Sequence, residues 1–435
     1  MIASDPHVYF GLVGLIPLFV YIILIFRYKK PVPLTILGAV LGALITHQTI
    51  FSFADILAKS LGSFLALVGL LIMLGRGLGE VLTSTKITHT LVHKIIYTIG
   101  VNTQNRAIIG IMAASVIIVA LLGTMAGGNA VIAPIVLPVA ASAGLTRSTV
   151  GVLFHACGEE ALILGPFSPS VLMLLGLTHL GYSEMLLKCA LPVLSVTFLT
   201  TWFMVKHIQR QTKGVYDYEE QPELQSFVPD SRAKRATLVF LGAFAIFVGF
   251  GLYWHASTNY IVVVIMILAL IAGLAGGLNP FSVAETFVKG MAGNLHLFVL
   301  FLFLEPFINF MDQAGAFKAV TAVLTPLVNY GGKAFVPIIG GLTGTVGLTG
   351  AAVAVLKMTN DLFVNLVQQY QIPIFVWGTA LVVANRATNF VHPGSNMFSS
   401  MGFANSDDLK SMIKNGWTVA FMQLSFLCVY SMVFT

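Results

Sequence analysis

The sequence predicts an all-α polytopic membrane protein made of two inverted-topology repeats, and three observations carry that expectation. Of 435 residues, 57% are hydrophobic and 9% charged, against roughly 25% charged in an ordinary soluble domain. Apolar stretches of about 18 to 20 residues recur from Val8 to Phe434, each long enough to cross a hydrocarbon layer of roughly 30 Å. Short motifs of the first half return in the second in the same order.

Apolar runs read against polar breaks place helices near 8–27, 32–47 and 61–82, followed by an amphipathic stretch at 84–99 suited to the membrane surface. The run 105–122 ends in Gly123-Thr124-Met125-Ala126-Gly127-Gly128-Asn129, and a new run covers 130–143. Glycines form helix poorly and leave backbone groups needing partners at depth, so 105–143 reads as a re-entrant hairpin with its tip inside the membrane. The stretch 148–180 is interrupted at Gly165-Pro166-Phe167-Ser168-Pro169-Ser170. Two prolines remove two backbone donors, which breaks the helix in mid-membrane. A span at 185–205 completes the half.

Asp217, Glu219, Glu220, Glu223 and Asp230, mixed among bases, mark 207–231 as a linker between a first repeat, 1–206, and a second, 232–435. Phe51-Ser52-Phe53-Ala54-Asp55 through Lys59 reappears as Phe281-Ser282-Val283-Ala284-Glu285 through Lys289. Gly123-Thr124 with Ala130-Val131 matches Gly344-Thr345 with Ala351-Ala352, and Pro166 and Ser168 match Pro393 and Ser395. The scaffold helices expected over 8–99 therefore recur over 235–330, the hairpin at 334–360 and the broken helix at 373–403. Five crossings plus a hairpin make an odd count, so the second copy enters from the opposite side. With the amino terminus outside and the linker cytoplasmic, most of the 23 basic residues fall inside, as the positive-inside rule requires. This describes a multi-pass protein of the cell's inner (plasma) membrane, with the lipid bilayer as its surroundings.

Other classes are excluded in turn. A transmembrane barrel would alternate over segments of about ten residues, and these runs are continuous. Cys157, Cys189 and Cys428 are odd in number and scattered, so no disulfide framework or metal finger is readable. The net charge of +6 is dispersed between spans, unlike a nucleic-acid footprint. Met1 to His7 carries no basic segment and Val8 to Phe26 exceeds a signal-peptide core, so no cleaved leader is expected. No nucleotide-binding glycine loop and no Gly-x-Ser-x-Gly or His-Glu-x-x-His constellation occurs, so neither an ATP-driven motor nor a membrane protease is expected, nor any other enzyme.

Paired inverted copies with broken helices can expose one central site to either face in turn, using half-helix ends as ligands. Ionisable groups at that depth cost a few kcal/mol each and need a reason. Glu159, in His155-Ala156-Cys157-Gly158-Glu159-Glu160, stands seven residues before Pro166, and Arg386 stands seven before Pro393. The repeat axis would bring this carboxylate and guanidinium to equivalent places about one centre. Two readings stay open: Glu159 or Glu160 binds a proton or helps bind sodium while Arg386 grips a substrate carboxylate, or Glu159 and Arg386 form a structural ion pair. Thr124, Asn129, Thr345 and Thr349 at the hairpin tips, with Ser168, Asn385, Asn389, Ser395 and Asn396 near the breaks, offer hard oxygen ligands. We assign Asn129, Ser168, Asn385, Asn389, Ser395 and Asn396 with Arg386 to substrate, and Thr124, Thr345 and Thr349 with Glu159 and Glu160 to a coupling ion. Spacings of two put His155, Cys157 and Glu159 on different helix faces, which disfavours a metal site. Arg76 and Glu80 are spaced as an i,i+4 pair, and Asp361 reads as a helix cap.

Two hairpin tips and two Pro-interrupted helices in inverted halves resemble the ion transporter superfamily of secondary carriers. Pro393-Gly394-Ser395-Asn396, Met401-Gly402-Phe403, Asp407-Asp408-Leu409-Lys410 and Lys414-Asn415-Gly416 are similar to the last core segment of its divalent-anion symporters. Those symporters carry Ser-Asn-Thr at each tip, where this chain has Gly-Gly-Asn at 127–129 and Leu-Thr-Gly at 348–350. Relatives such as NhaC-type sodium/proton antiporters and the gluconate and citrate carriers therefore stay open. The resemblance implies a homodimeric scaffold and a transport domain moving in elevator fashion. The function expected is secondary active transport of a small organic anion coupled to sodium or protons, with no other cofactor. The alternatives are a cation/proton antiporter, in which Arg386 is the counter-ion of Glu159 and Glu160, an amino-acid carrier, and a channel.

Overall fold

Among the described residues, each half of the chain shows ten helices that follow one another in the same order. The computed structural model describes residues 11–28, 30–99, 103–218, 227–254, 258–346 and 352–435. The first half comprises α1 (Ile16–Tyr28), α2 (Pro31–Ile45), α3 (Ile50–Ser60), α4 (Phe64–Ser84), α5 (Ile87–Ile99), α6 (Gln104–Leu122), α7 (Met125–Ser142), α8 (Arg147–Ala161), α9 (Pro169–Thr178) and α10 (Tyr182–Thr212). The second comprises α11 (Ser231–Tyr253), α12 (Thr258–Ala275), α13 (Pro280–Ala292), α14 (Leu295–Gln313), α15 (Ala316–Gly331), α16 (Phe335–Leu342), α17 (Ala352–Gln369), α18 (Ile374–Val391), α19 (Ser395–Phe403) and α20 (Leu409–Phe434). Among the described residues eight helices are long and apolar enough to cross a membrane. The molecule is a multi-pass membrane protein.

Side-chain oxygens set many of the boundaries. Ser63, Thr103 and Thr146 precede α4, α6 and α8 and accept the orphan amides of Ala66, Arg106 and Thr149. Thr49 and Asn279 do the same for Ser52 and Ser282, starting α3 and α13. These two short helices hold the repeated Phe-Ser-x-Ala-acid motif, which the sequence reading located without assigning it a helix.

The hairpin at 105–143 is tighter than expected. Only Gly123, at φ +63°, and Thr124 leave the helix, and Gly127 to Asn129 form the first turns of α7. A Cβ on Gly128 would overlap Val119 of α6, so these glycines let the two arms approach. In the second hairpin α16 gives way to a 3₁₀ turn, Thr343–Val346, and 347–351, with Thr349, lie outside the described residues. The linker is shorter than 207–231. α10 continues to Thr212 because its last turns are packed, Gln209 and Thr212 bonding to Thr149 and Thr146 at the start of α8. The amphipathic stretch at 84–99 is α5, which buries Ile87, Leu91, Val92 and Ile96 against α6 and α11.

The halves meet reciprocally. α4 packs on α12 and α13 of the other half, and α14 packs on α2 and α3. A Cβ on Gly77 of α4 would lie 2.8 Å from the Phe287 carbonyl oxygen, and one on Gly290 of α13 would lie 2.9 Å from that of Arg76. Each broken helix hands its second segment to the opposite half: α9 packs on α17 and α18, and α19 packs on α7 and α8. Each half thus contributes a segment to the packing of the other. Two large apolar cores result, one around α16 to α18 with α9 and one around α6 to α8 with α19. Ala156, Ala387, Phe390, Val419 and Ala420 form the seam between them.

Candidate functional site

The site grows from the two helix breaks. α8 ends at Ala161 and α9 begins at Pro169; the amides of Gly165 and Ser168 turn back to the carbonyls of Ala161 and Gly165. α18 ends at Val391, and His392-Pro393-Gly394 leads into α19. Glu159, two residues before the end of α8, and Arg386, five residues before the end of α18, meet face to face. Of the three ion pairs among the described residues, theirs alone joins the two halves.

Glu159 is 0% and Arg386 1% exposed. Glu159 Oε2 accepts from Arg386 Nη1 at 2.7 Å and from Asn389 Nδ2 at 2.9 Å, and Oε1 accepts from Asn396 Nδ2 at 2.7 Å. Every one of these donors belongs to the second half. Arg386 also donates to the Glu159 carbonyl and to Asn385 Oδ1, and to Ser170 Oγ at 3.4 Å. Taking both charges out of water is costly, and the hydrogen bonds to both Glu159 oxygens and both Arg386 terminal nitrogens are what offset it, although Arg386 Nε is buried with no partner among the described residues.

Five of the expected residues, Glu159, Arg386, Asn385, Asn389 and Asn396, thus form one network. The others are distributed around it. Glu160 is fully buried and faces away, its Oε1 accepting from Thr197 Oγ1 and Gln423 Nε2, each at 2.9 Å. Asn129 Nδ2 donates to Ser400 Oγ at 3.2 Å, linking α7 to α19. Ser168 is buried, and its hydroxyl has no partner among the described residues. Thr124 is half-buried at the hairpin turn. Thr345 donates to the Leu342 carbonyl at 2.7 Å within its own 3₁₀ turn, and Ser395 is exposed at the start of α19. Ser170, Thr197, Ser400 and Gln423 were not singled out from sequence. Ser170 borders the flagged break, whereas Thr197 and Gln423 sit in long apolar helices and give no local signal.

Two smaller expectations change. Arg76 reaches across to the other half, donating to the Gly293 carbonyl at 3.2 Å and to Asn294 Oδ1 at 3.0 Å, in place of pairing with Glu80. The close crossing of α4 and α13 puts the carbonyl end of α13 within its reach. Asp361 pairs with Lys357 at 2.5 Å, one turn apart on α17, and does not cap a helix.

A cavity of about 730 Å³ adjoins the first break. Pro166 and Phe167 form one wall; Phe64, Tyr182, Phe247 and Tyr260 contribute others, from the start of α4, the α9–α10 turn and the facing ends of α11 and α12.

No protein-family model matches the chain, and no curated protein matches its sequence. Solved structures match it in fold. The YdaH transporter of Alcanivorax borkumensis superposes with a TM-score of 0.62 at 17% identity, covering 93% of this chain and 98% of that one. MtrF of Neisseria gonorrhoeae, from a class of antimetabolite efflux pumps, superposes with a TM-score of 0.59 at 14% identity, covering 93% and 96%. The fold is one that membrane transporters adopt. It spans nearly the whole of each chain.

Proposed function

We propose that the chain is a secondary active transporter of the ion transporter superfamily type, moving a small organic anion by alternating access. On this reading the halves are inserted oppositely, the α6–α9 and α16–α19 segments travel as an elevator against a dimeric scaffold, and a sodium or proton gradient across the inner membrane supplies the drive. The observation that carries the reading is the buried contact of Glu159 with Arg386 between the two broken helices. The reciprocal packing of the halves and the likeness to transporters support it.

Arg386 is the positive charge of the centre, and Glu159 is its internal anion. A substrate carboxylate would replace Glu159 at the guanidinium through two parallel hydrogen bonds. Glu159, released from Arg386, would then take a proton or sodium ion, so the buried centre stays neutral and anion binding is tied to cation binding. With the amino terminus outside, the cavity beside Pro166 and Phe167 opens outward and gives the anion a route to the break.

One observation favours cation/proton antiport instead: Arg386 is already engaged by Glu159, as a dedicated counter-ion would be. Proteoliposome flux separates the two. Saturable uptake of a carboxylate, with counterflow and dependence on an imposed sodium or pH gradient, is the expected result. Gradient-driven sodium/proton exchange without carboxylate uptake supports the antiporter, and current without exchange points to a channel.

A further inference from the structure

Glu160 is a second buried carboxyl group that the Glu159–Arg386 network does not use. The charged groups acting on it are Arg386, already paired, and Glu159, with the Cys157 thiol nearby; α10 and α20 bring it only the uncharged Thr197 and Gln423. Counting Arg386 with Glu159 leaves Glu160 without a countercharge, and an isolated carboxylate at that depth is too costly to keep. Its surroundings indicate what neutralises it. Only Oε1 has partners, Thr197 Oγ1 and Gln423 Nε2, while Oε2 is buried with none among the described residues, so too few donors surround the group to hold a second charge. A sodium ion would want several oxygens converging on the carboxyl group, and here only the Thr197 hydroxyl and the Gln423 amide stand beside it among the described residues.

We propose that Glu160 is a proton-binding site, loaded along the α8–α10–α20 seam from the end where α8 begins. At that end Thr146, Thr149, Gln209 and Thr212 form a hydrogen-bonded cluster, with Thr149 Oγ1 donating to Gln209 Oε1 at 2.8 Å. Thr149 and Glu160, eleven residues apart, lie on one face of α8. Between them α10 contributes Thr201 and α20 contributes Asn415, both buried with side-chain polar atoms that have no partner among the described residues, as does Gln423 Oε1. The two helices run antiparallel: Lys414 Nζ meets His207 Nε2 at 2.9 Å near one end, and Gln423 Nε2 meets Thr197 Oγ1 at 2.6 Å further along. Thr201 is one turn from Thr197 and Asn415 two turns from Gln423, which sits beside Thr197, so successive polar groups are roughly 6 Å apart along the seam, about the reach of one bridging water. The proposal rests on the carrier reading, to which it adds a proton held at Glu160, apart from the anion at Arg386 and from the cation taken up by Glu159.

Infrared difference spectroscopy on the full-length protein in lipid tests it, because a protonated carboxyl group has its own C=O band that shifts in D₂O. We expect a band that titrates with pH, is lost in Glu160→Gln and is kept in Glu159→Gln. Thr197→Val, which keeps the carboxyl group and removes a donor, should shift its frequency. Asn415→Leu should keep the band and slow its exchange with D₂O. A band that survives Glu160→Gln and is unmoved by Thr197→Val overturns the site, and unchanged exchange in Asn415→Leu overturns the route. A sodium-dependent thermal shift lost in Glu160→Gln would make this a sodium site and overturn the proton assignment. None of these readouts needs a substrate. An intact Glu160 band in a protein without any flux would sink the carrier reading and leave the proton site standing.

Discussion

Arg386 Nη1 lies 2.7 Å from Glu159 Oε2, although 227 residues separate them in the chain. Each stands seven residues before the proline of its own broken helix. The pair therefore reports directly on how the two halves are docked, and it makes the charge of either residue depend on the other.

Arg386→Gln should abolish anion uptake and also destabilise the protein, because Glu159 is left buried and unpaired; removing one partner of such a pair costs about 3–5 kcal/mol. The double variant Glu159→Gln with Arg386→Gln should recover most of that loss in thermal unfolding while remaining inactive. Anion uptake at wild-type affinity in Arg386→Gln would remove its role as the clamp.

Glu159→Gln keeps the shape and removes the competing anion. Substrate carboxylate should bind more tightly in a thermal-shift titration, while the dependence of uptake on pH or sodium changes. An unchanged coupling profile would reassign Glu159 to structure.

The α4–α13 crossing tolerates no side chain. Gly290→Ala drives a Cβ against the Arg76 carbonyl and the Gly77 Cα, and should cost about 1–3 kcal/mol. Gly242→Ala, in α11 with open space around it, should be neutral or slightly stabilising. Equal melting temperatures for the two variants would contradict this packing.

Phe227, in the linker before α11, packs its ring 5.5 Å from that of His89 and 6.4 Å from that of His93, both on α5. Burial first, then Lys86, holds His89 below its ordinary value of 6.5, and burial, then Lys234, lowers His93. The unfolded chain then binds protons more readily than the folded one, so stability is lost as pH falls through 6.5 and below. A Phe227→Trp reporter should shift its emission to the red on acidification. In His89→Gln with His93→Gln the emission should stay constant over the same range.

What could be read from sequence was what is local or repeated. Hydropathy located the long helices, and the prolines at 166 and 393 located both breaks, because a missing donor acts where it stands. The equal offsets of Glu159 and Arg386 from those prolines placed them at equivalent positions before any contact was known. Gly127 and Gly128 misled: as poor helix formers they suggested a loose tip, whereas the close approach of α6 and α7 keeps them helical. Arg76 also misled, since a neighbouring Glu80 on its own helix was visible and the Gly293 carbonyl across the interface was not. Thr197 and Gln423 were illegible, because their meaning comes only from how α10 and α20 lie against α8.

The central claim, that the two halves are inserted in opposite senses around Glu159 and Arg386, is tested most directly by sided labelling. Ser183 and Asp407 are exposed in the corresponding turns that precede or open α10 and α20. In a Cys428→Ser background, with Cys157 and Cys189 buried, single Ser183→Cys and Asp407→Cys variants are treated with a membrane-impermeant thiol reagent in intact cells and in inverted vesicles. We predict that Ser183→Cys reacts only from outside and Asp407→Cys only from inside. Reaction of both from the same side would contradict the account.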